Sequence, residues 1–235
     1  MTINYPADTQ LPGLRKLWKE AFGDSDAFLD IFFTHGYSPR RCRCITEGNT
    51  VAAALYWFDC SWEGKKLAYF YGVATGKEFR GRGFCRALME NIHIILRDRD
   101  YCGSILVPGD AGLRQMYGAM GYEDFGSKPA YAHASENCAQ MQKIGREEFA
   151  GLRRSFLPEN GVIQEGAQLM LLDALADFYR GDGFLLTVSK EGNRILELLG
   201  DETAAGFYMT GRQQFAMYHP LTEEIYPAYF AFAFD

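Results

Sequence analysis

Residues 67–75, Leu-Ala-Tyr-Phe-Tyr-Gly-Val-Ala-Thr, make an apolar run that passes through a short loop directly into an amphipathic stretch. A run of this length, rich in β-formers and carrying no charge, predicts a strand buried on both faces. After it, Phe84, Leu88, Ile92 and Ile95 recur at helical spacing and predict a helix over 83–99. The junction reads Arg80-Gly81-Arg82-Gly83-Phe84-Cys85. A strand covered on both sides and followed at once by a helix demands layered α/β packing. The first backbone N–H groups of that helix have no partner within it, and the helix dipole is positive there. Gly81 and Gly83 would let an anion approach the main chain closely, while Arg80, Arg82 and Arg86 add charge of the geometry that phosphate accepts. The junction therefore predicts a pyrophosphate site.

Two common phosphate loops do not fit. Gly72 to Gly76-Lys77 is one residue short of a Walker loop, and Glu78 stands where Ser or Thr is needed. The dinucleotide fingerprint fails because Arg86 occupies the position of its third glycine. The pattern that does fit is [Gln/Arg]-x-x-Gly-x-[Gly/Ala], with Cys85 as its one departure.

The surrounding order is a short strand near residues 3–5, then two helices marked by Leu14, Leu17, Trp18, Ala21, Phe22 and by Phe28, Ile31, Phe32. Strands follow over 41–47, 50–62 and 67–75. After the helix over 83–99 come a buried strand at 103–107, a short helix at 113–120 closed by Gly121, and a returning strand at 122–126.

This segment resembles the GNAT superfamily of acyl-CoA-dependent N-acetyltransferases. The likeness covers residues 3–126 and rests on three features in order. They are Val73-Ala74-Thr75 ending the central strand, Arg80-x-x-Gly83-x-Cys85 at the next helix, and Leu113-x-x-x-Tyr117-x-x-x-Gly121-Tyr122. The resemblance implies a mixed central sheet with flanking helices, that is, an α+β (α/β) GNAT fold. It implies acetyl-CoA as cosubstrate, held by Val73, Ala74, Thr75, Arg80, Gly81, Arg82, Gly83, Phe84 and Cys85. The central strand would splay from the strand at 103–107, so that pantetheine amides complete the ladder. A main-chain N–H near Val73 would hold the oxyanion as a primary amine attacks the thioester directly through a tetrahedral intermediate. Tyr117 is the expected general acid for the departing thiolate. The central strand carries no carboxylate for a general base, which leaves Glu20, Asp24 and Asp26 as candidates. A different acyl donor, or a non-catalytic CoA-binding or regulatory module, are the alternative readings.

Residues 130–235 repeat part of that layout: a strand near 139–144, helices at 146–157 and 167–179, strands at 184–189 and 194–200, and a final strand at 228–235. The expected division is a GNAT domain over 1–129 and a smaller, degenerate GNAT-like domain over 130–235. The whole chain is similar to two-domain acetyltransferases of the enhanced-intracellular-survival type. That similarity implies that the terminal residue, Asp235, brings a carboxylate to the active site. Aromatic groups Phe28/Phe32/Phe33 and Tyr226/Tyr229/Phe230 could line an acceptor pocket, with core packing as the default.

Charge is uneven. Residues 1–130 carry 16 Lys+Arg against 15 Asp+Glu, and residues 131–235 carry 8 against 15, within a net charge of −6. An acidic half argues against a nucleic-acid partner and is compatible with a cationic amine acceptor, small or peptide-like. Six scattered cysteines form no CxxC pair and no Cys/His cluster, so no metal is expected and the thiols read as reduced. His35, His93, His133 and His219 are isolated, and His93 falls off the stripe of its helix, toward solvent. No apolar run reaches 18 residues and the start lacks a signal-peptide pattern, so neither a membrane partner nor secretion is expected, and the location reads as cytoplasmic. Exposed terminal strands could pair two copies into a homo-oligomer.

Overall fold

The computed structural model describes residues 2–134, 140–192, 194–222 and 226–232. Its first half runs β1 (Thr2–Asn4), α1 (Leu11–Phe22), α2 (Asp26–Ile31), β2 (Cys42–Glu47), β3 (Thr50–Trp62), β4 (Lys65–Thr75), α3 (Phe84–Arg97), β5 (Tyr101–Leu106), α4 (Ala111–Gly118) and β6 (Glu123–His133). Its second half runs β7 (Met141–Ile144), α5 (Arg146–Phe156), α6 (Ala167–Leu175), β8 (Ala176–Gly181), β9 (Phe184–Ser189), β10 (Ile195–Gly200) and β11 (Phe207–Pro220). No helix among the described residues is long and apolar enough to cross a membrane.

A seven-stranded sheet has the order β1-β2-β3-β4-β5-β11-β6. Only β4 and β5 are parallel, joined by the α3 crossover. Both faces are covered, which explains why β4 is apolar at every inner position. Leu67, Tyr69 and Tyr71 pack with α1, α2 and α6, while Ala68 and Phe70 pack with α3 and α4. Each large side chain so buried contributes about 1.5–3 kcal/mol. A second, four-stranded antiparallel sheet, β10-β9-β8-β7, stacks on α5 and α6.

The two halves are interleaved. β11, from the second half, enters the first sheet between β5 and β6, and the line at 129/130 falls inside β6. The connection between α5 and α6 also bridges to β3, where Ser61 and Ile163 exchange main-chain hydrogen bonds of 3.0 and 2.8 Å.

Several sequence expectations change here. The expected last strand is not formed by 226–232, which run as irregular chain with one bridge at Tyr229. The strand is instead Phe207–Pro220, hidden from pattern reading because residues 210–214 are exposed and polar where the β6–β11 ribbon leaves the core. The helix expected over 167–179 stops at Leu175, and residues 176–181 join the second sheet. His93 is buried, not solvent-facing. The buried stripe of α3 continues through Leu96 rather than Ile95, which rotates it over Met89 and His93.

Candidate active site

The site begins where β4 and β5 part. Their pairing runs from Lys66–Tyr101 to Phe70–Leu106 and stops, while β4 continues through residues 71–75 beside β3. Between Tyr71 and Ala74, β4 uses one residue more than β3 does between Ala54 and Tyr56, a bulge centred on Gly72. Gly72 has φ +61°, and a Cβ there would lie 2.4 Å from the Trp18 ring. Glycine is therefore required twice over, by the backbone conformation and by the closeness of the indole. An isolated glycine inside an apolar strand was the signal for this bulge.

Beyond the parting, a cleft of about 420 Å³ opens. Gly72 and Val73 of β4 and residues 106–109, at and beyond the end of β5, line it. Trp18, Phe22 and Asp24, and Leu113 and Tyr117 of α4, also line it.

The loop from β4 to α3 follows. Gly76 is tied back by its N–H to the Ala52 carbonyl at 2.9 Å, and the Lys77 N–H donates to Glu20 Oε1 at 2.6 Å. Gly81 and Gly83 have φ +73° and +77°, and a Cβ at either would meet nothing within 4 Å. Space thus lies open before the N-terminus of α3, whose first turn holds no acidic side chain. The arginines are not all aimed into it. Arg80 folds back onto the Thr75 carbonyl (3.3 Å) and Arg86 onto the Ala119 carbonyl (3.3 Å). Arg82 lies over the Phe84 ring at 4.7 Å and pairs with Glu47 at 3.3 Å. Phe84 is buried under α3, and half-buried Cys85 packs beside it, burial pushing its thiol up to about 11. Ala74 is buried in the opposite core, so of the strand-end residues Val73 is the one that borders the cleft.

Tyr117 is 5% exposed and sits two turns into α4, whose N-cap Asp110 accepts the Leu113 N–H at 2.7 Å. Burial first, then the nearby Cys85 and Asp110, raises its phenol well above the ordinary tyrosine value, so it stays protonated near neutrality. Behind it lies a buried hydroxyl–imidazole cluster. Ser104 Oγ and Tyr122 OH are 2.6 Å apart, and His93 Nε2 lies 3.1 and 3.0 Å from them. His219 stacks on His93 at 4.5 Å and hydrogen-bonds through Nδ1 to the Gly121 carbonyl at 2.8 Å. Burial lowers His93 to about 3, so it is a neutral imidazole.

The three carboxylates considered for the base separate by position. Glu20 is committed to the Lys77 amide, and Asp26 is paired with Lys19 at 2.9 Å on the surface. Asp24 alone of the three borders the cleft, with Oδ2 accepting the Trp18 indole N–H at 2.7 Å. The proposed Asp235 lies outside the described residues. The segment before it is held firmly: Phe230 packs 4.9 Å from Tyr69, and both Gln164 and Gln168 donate to the Phe232 carbonyl, at 3.1 and 3.2 Å. Neither Phe28/Phe32/Phe33 nor Tyr226/Tyr229/Phe230 borders the cleft; Trp18, Phe22, Tyr69 and Tyr71 do. Among the described residues no three His, Cys, Asp or Glu side chains cluster as a metal site.

A parallel pair that splays over a left-handed glycine loop and a capped tyrosine helix defines an acyltransferase-type α/β scaffold, and the comparisons agree with it. The acetyltransferase (GNAT) domain model matches residues 2–125, just over half of the chain. The protein belongs to the GNAT acetyltransferase family. Solved structures share its fold over nearly the whole length. A GCN5-related N-acetyltransferase from Kribbella flavida has 17% identity and a TM-score of 0.70, covering 92% of this chain and 70% of that one. A second, from Anabaena variabilis, has 15% identity and a TM-score of 0.72, covering 94% and 73%. Eis1 from Mycobacterium abscessus has 10% identity and a TM-score of 0.69, covering 94% and 74%. No curated protein matches the chain.

Proposed function

We propose that this protein transfers an acyl group, acetyl in the first instance, from acyl-coenzyme A to a primary amine. The observation that carries the reading is the parting of β4 from β5 at the Gly72 bulge, which opens a cleft bordered by Val73 on one strand and Tyr117 of α4. Acyl-coenzyme A, when bound, supplies the activated thioester.

Main-chain N–H groups of residues 83–86 face the diphosphate, with the helix dipole behind them. The exposed edge of β4 beyond Phe70 offers main-chain groups to the pantetheine amides in place of a strand. The N–H near Val73 stabilises negative charge on the thioester oxygen. The amine arrives with one proton lost to water; its nitrogen bonds to the acyl carbon to form the tetrahedral intermediate, and the C–S bond breaks as that intermediate collapses. The Tyr117 hydroxyl donates its proton to the departing sulfur, and the second ammonium proton, relayed through solvent, restores the neutral phenol. Burial keeps the phenol neutral and able to hydrogen-bond the departing sulfur, and no protein nucleophile is needed.

The test joins a binding and a turnover measurement. Gly83→Glu introduces a carboxylate and a left-handed non-glycine residue at the diphosphate position. It should abolish coenzyme A binding by calorimetry while the thermal transition stays within a few degrees of wild type. Unchanged affinity overturns the site. Wild-type protein should release free thiol from acetyl-CoA when supplied with amines. Tight coenzyme A binding with no thiol release across a broad amine panel would favour the regulatory reading instead.

A further inference from the structure

Resting on that reading, we infer that Tyr122 is a positioning residue for Tyr117, fixed by a buried cluster to which the second half of the chain contributes His219. Tyr117 and Tyr122 stand at the two ends of one turn. The Met120 and Tyr122 N–H groups both donate to the Tyr117 carbonyl, at 2.9 and 3.2 Å. Their rings pack with centroids 6.0 Å apart, tilted by 59°. The direction of the Tyr117 phenol therefore depends on where the Tyr122 ring stands. That ring is fixed through its hydroxyl, which meets Ser104 Oγ of β5 at 2.6 Å and His93 Nε2 of α3 at 3.0 Å. His93 and Ser104 are themselves 3.1 Å apart, so the three groups close on one another, and all three are buried. Ser104 lies just before Leu106, where β5 reaches the cleft. One point thus ties together β5, α3 and the exit from α4.

Core packing alone does not account for a hydroxyl at this place. A phenylalanine would fill the same buried volume without the cost of taking an O–H group out of water. What a fully paired polar cluster adds to an apolar contact is a single allowed ring position. His219 tightens it from the other side. It lies on β11, the strand that enters the first sheet from the second half. Its ring stacks on His93 at 4.5 Å and 7°, and lies 5.2 Å from the Tyr122 ring. Its Nδ1 hydrogen-bonds the Gly121 carbonyl at 2.8 Å, at the left-handed residue immediately before Tyr122. The same strand also holds α4 directly, the Phe215 carbonyl accepting from Arg114 at 3.3 Å. None of the described cleft-lining residues comes from β11. The second half therefore acts on the site through the support of Tyr117.

The experiment measures kcat by thiol release from acetyl-CoA, with the amine that wild type acetylates fastest, and coenzyme A affinity by calorimetry, all on the full chain. Tyr122→Phe keeps the ring and leaves Ser104 and His93 bonded to each other. It should lower kcat about tenfold, because a small displacement of a group that acts on the leaving atom is costly, and leave coenzyme A affinity unchanged. In a Tyr117→Phe background the same substitution should cause no further loss, since its effect passes through a hydroxyl already removed. An equal loss in both backgrounds would show that Tyr122 acts on the fold at large and overturns the inference, as does a wild-type kcat in Tyr122→Phe. Should Tyr122→Phe fail to fold, Ser104→Ala decides instead: kcat should fall only where Tyr117 is intact, and a wild-type kcat overturns the inference. His219→Ala should follow the same pattern, and a wild-type kcat there overturns the contribution of β11. If Tyr117→Phe alone turns over at the wild-type rate, the general-acid role falls and this inference with it. If coenzyme A does not bind, or binds and no amine releases thiol, the acyl-transfer reading itself has failed.

Discussion

Gly72→Ala tests the centre of the site with a single methyl group. The added Cβ would lie 2.4 and 2.7 Å from two atoms of the Trp18 ring and 3.1 Å from the Tyr56 ring. Holding a non-glycine residue at φ +61° costs about 1–2 kcal/mol. Forcing a methyl into a packed core costs about 1–3 kcal/mol more. Neither ring gives way easily. Trp18 is 2% exposed, bonded to Asp24 at 2.7 Å and wedged against Phe32, while Tyr56 is itself 3% exposed. The sum, about 2–5 kcal/mol, should lower the thermal midpoint of a chain this size by on the order of 10 °C. Urea denaturation measures the first quantity and scanning calorimetry the second. Because the bulge also shapes the edge of β4 that borders the cleft, turnover should fall together with stability. A variant within 0.5 kcal/mol of wild type and with unchanged kinetics would refute both the bulge and the indole contact.

Other outcomes follow from the same geometry. Tyr117→Phe should lower turnover at least tenfold and leave coenzyme A affinity nearly unchanged; a wild-type rate in folded protein removes Tyr117 from the reaction. Glu197→Gln should cost about 3–5 kcal/mol in urea denaturation, because buried Arg153, bonded to both carboxylate oxygens at 2.8 and 2.9 Å, loses its counter-charge. A loss under 1 kcal/mol would show that pair to be dispensable. His93 has its pKa lowered from 6.5 to about 3 by burial, so the unfolded chain binds a proton there that the folded one does not. Its contribution is complete above pH 6.5 and is lost as pH falls from there toward 3. Stability should thus drop more between pH 7 and 5 in wild type than in His93→Gln, and equal drops would contradict the buried neutral imidazole.

The first half of the molecule was legible because its signals are local and agree with one another. A two-sided apolar strand, a glycine pair at a helix start and a helix closed by Gly121 each follow from spacing over fewer than twenty residues. They sufficed for β4, α3 and α4, and hence to place residues 80–85 at the start of one helix and Tyr117 on the other. His93 was misread by one step of the helical stripe. An imidazole looks polar in sequence, and only Ser104 and Tyr122, brought from β5 and from the turn after α4, make its burial tolerable.

The amino-acid sequence by itself determined where backbone must turn, where helices begin and which strand is buried twice, since propensity, glycine conformation and periodicity act between near neighbours. Tertiary structure alone decided that β11 crosses from the second half to sit between β5 and β6, since a half-polar strand carries no local sign of its partners. It also decided that Trp18 spans the distance between Asp24 and Gly72. That contact joins a helix, a loop and a strand more than fifty residues away, and depends on how closely an indole can approach a main chain that lacks a Cβ.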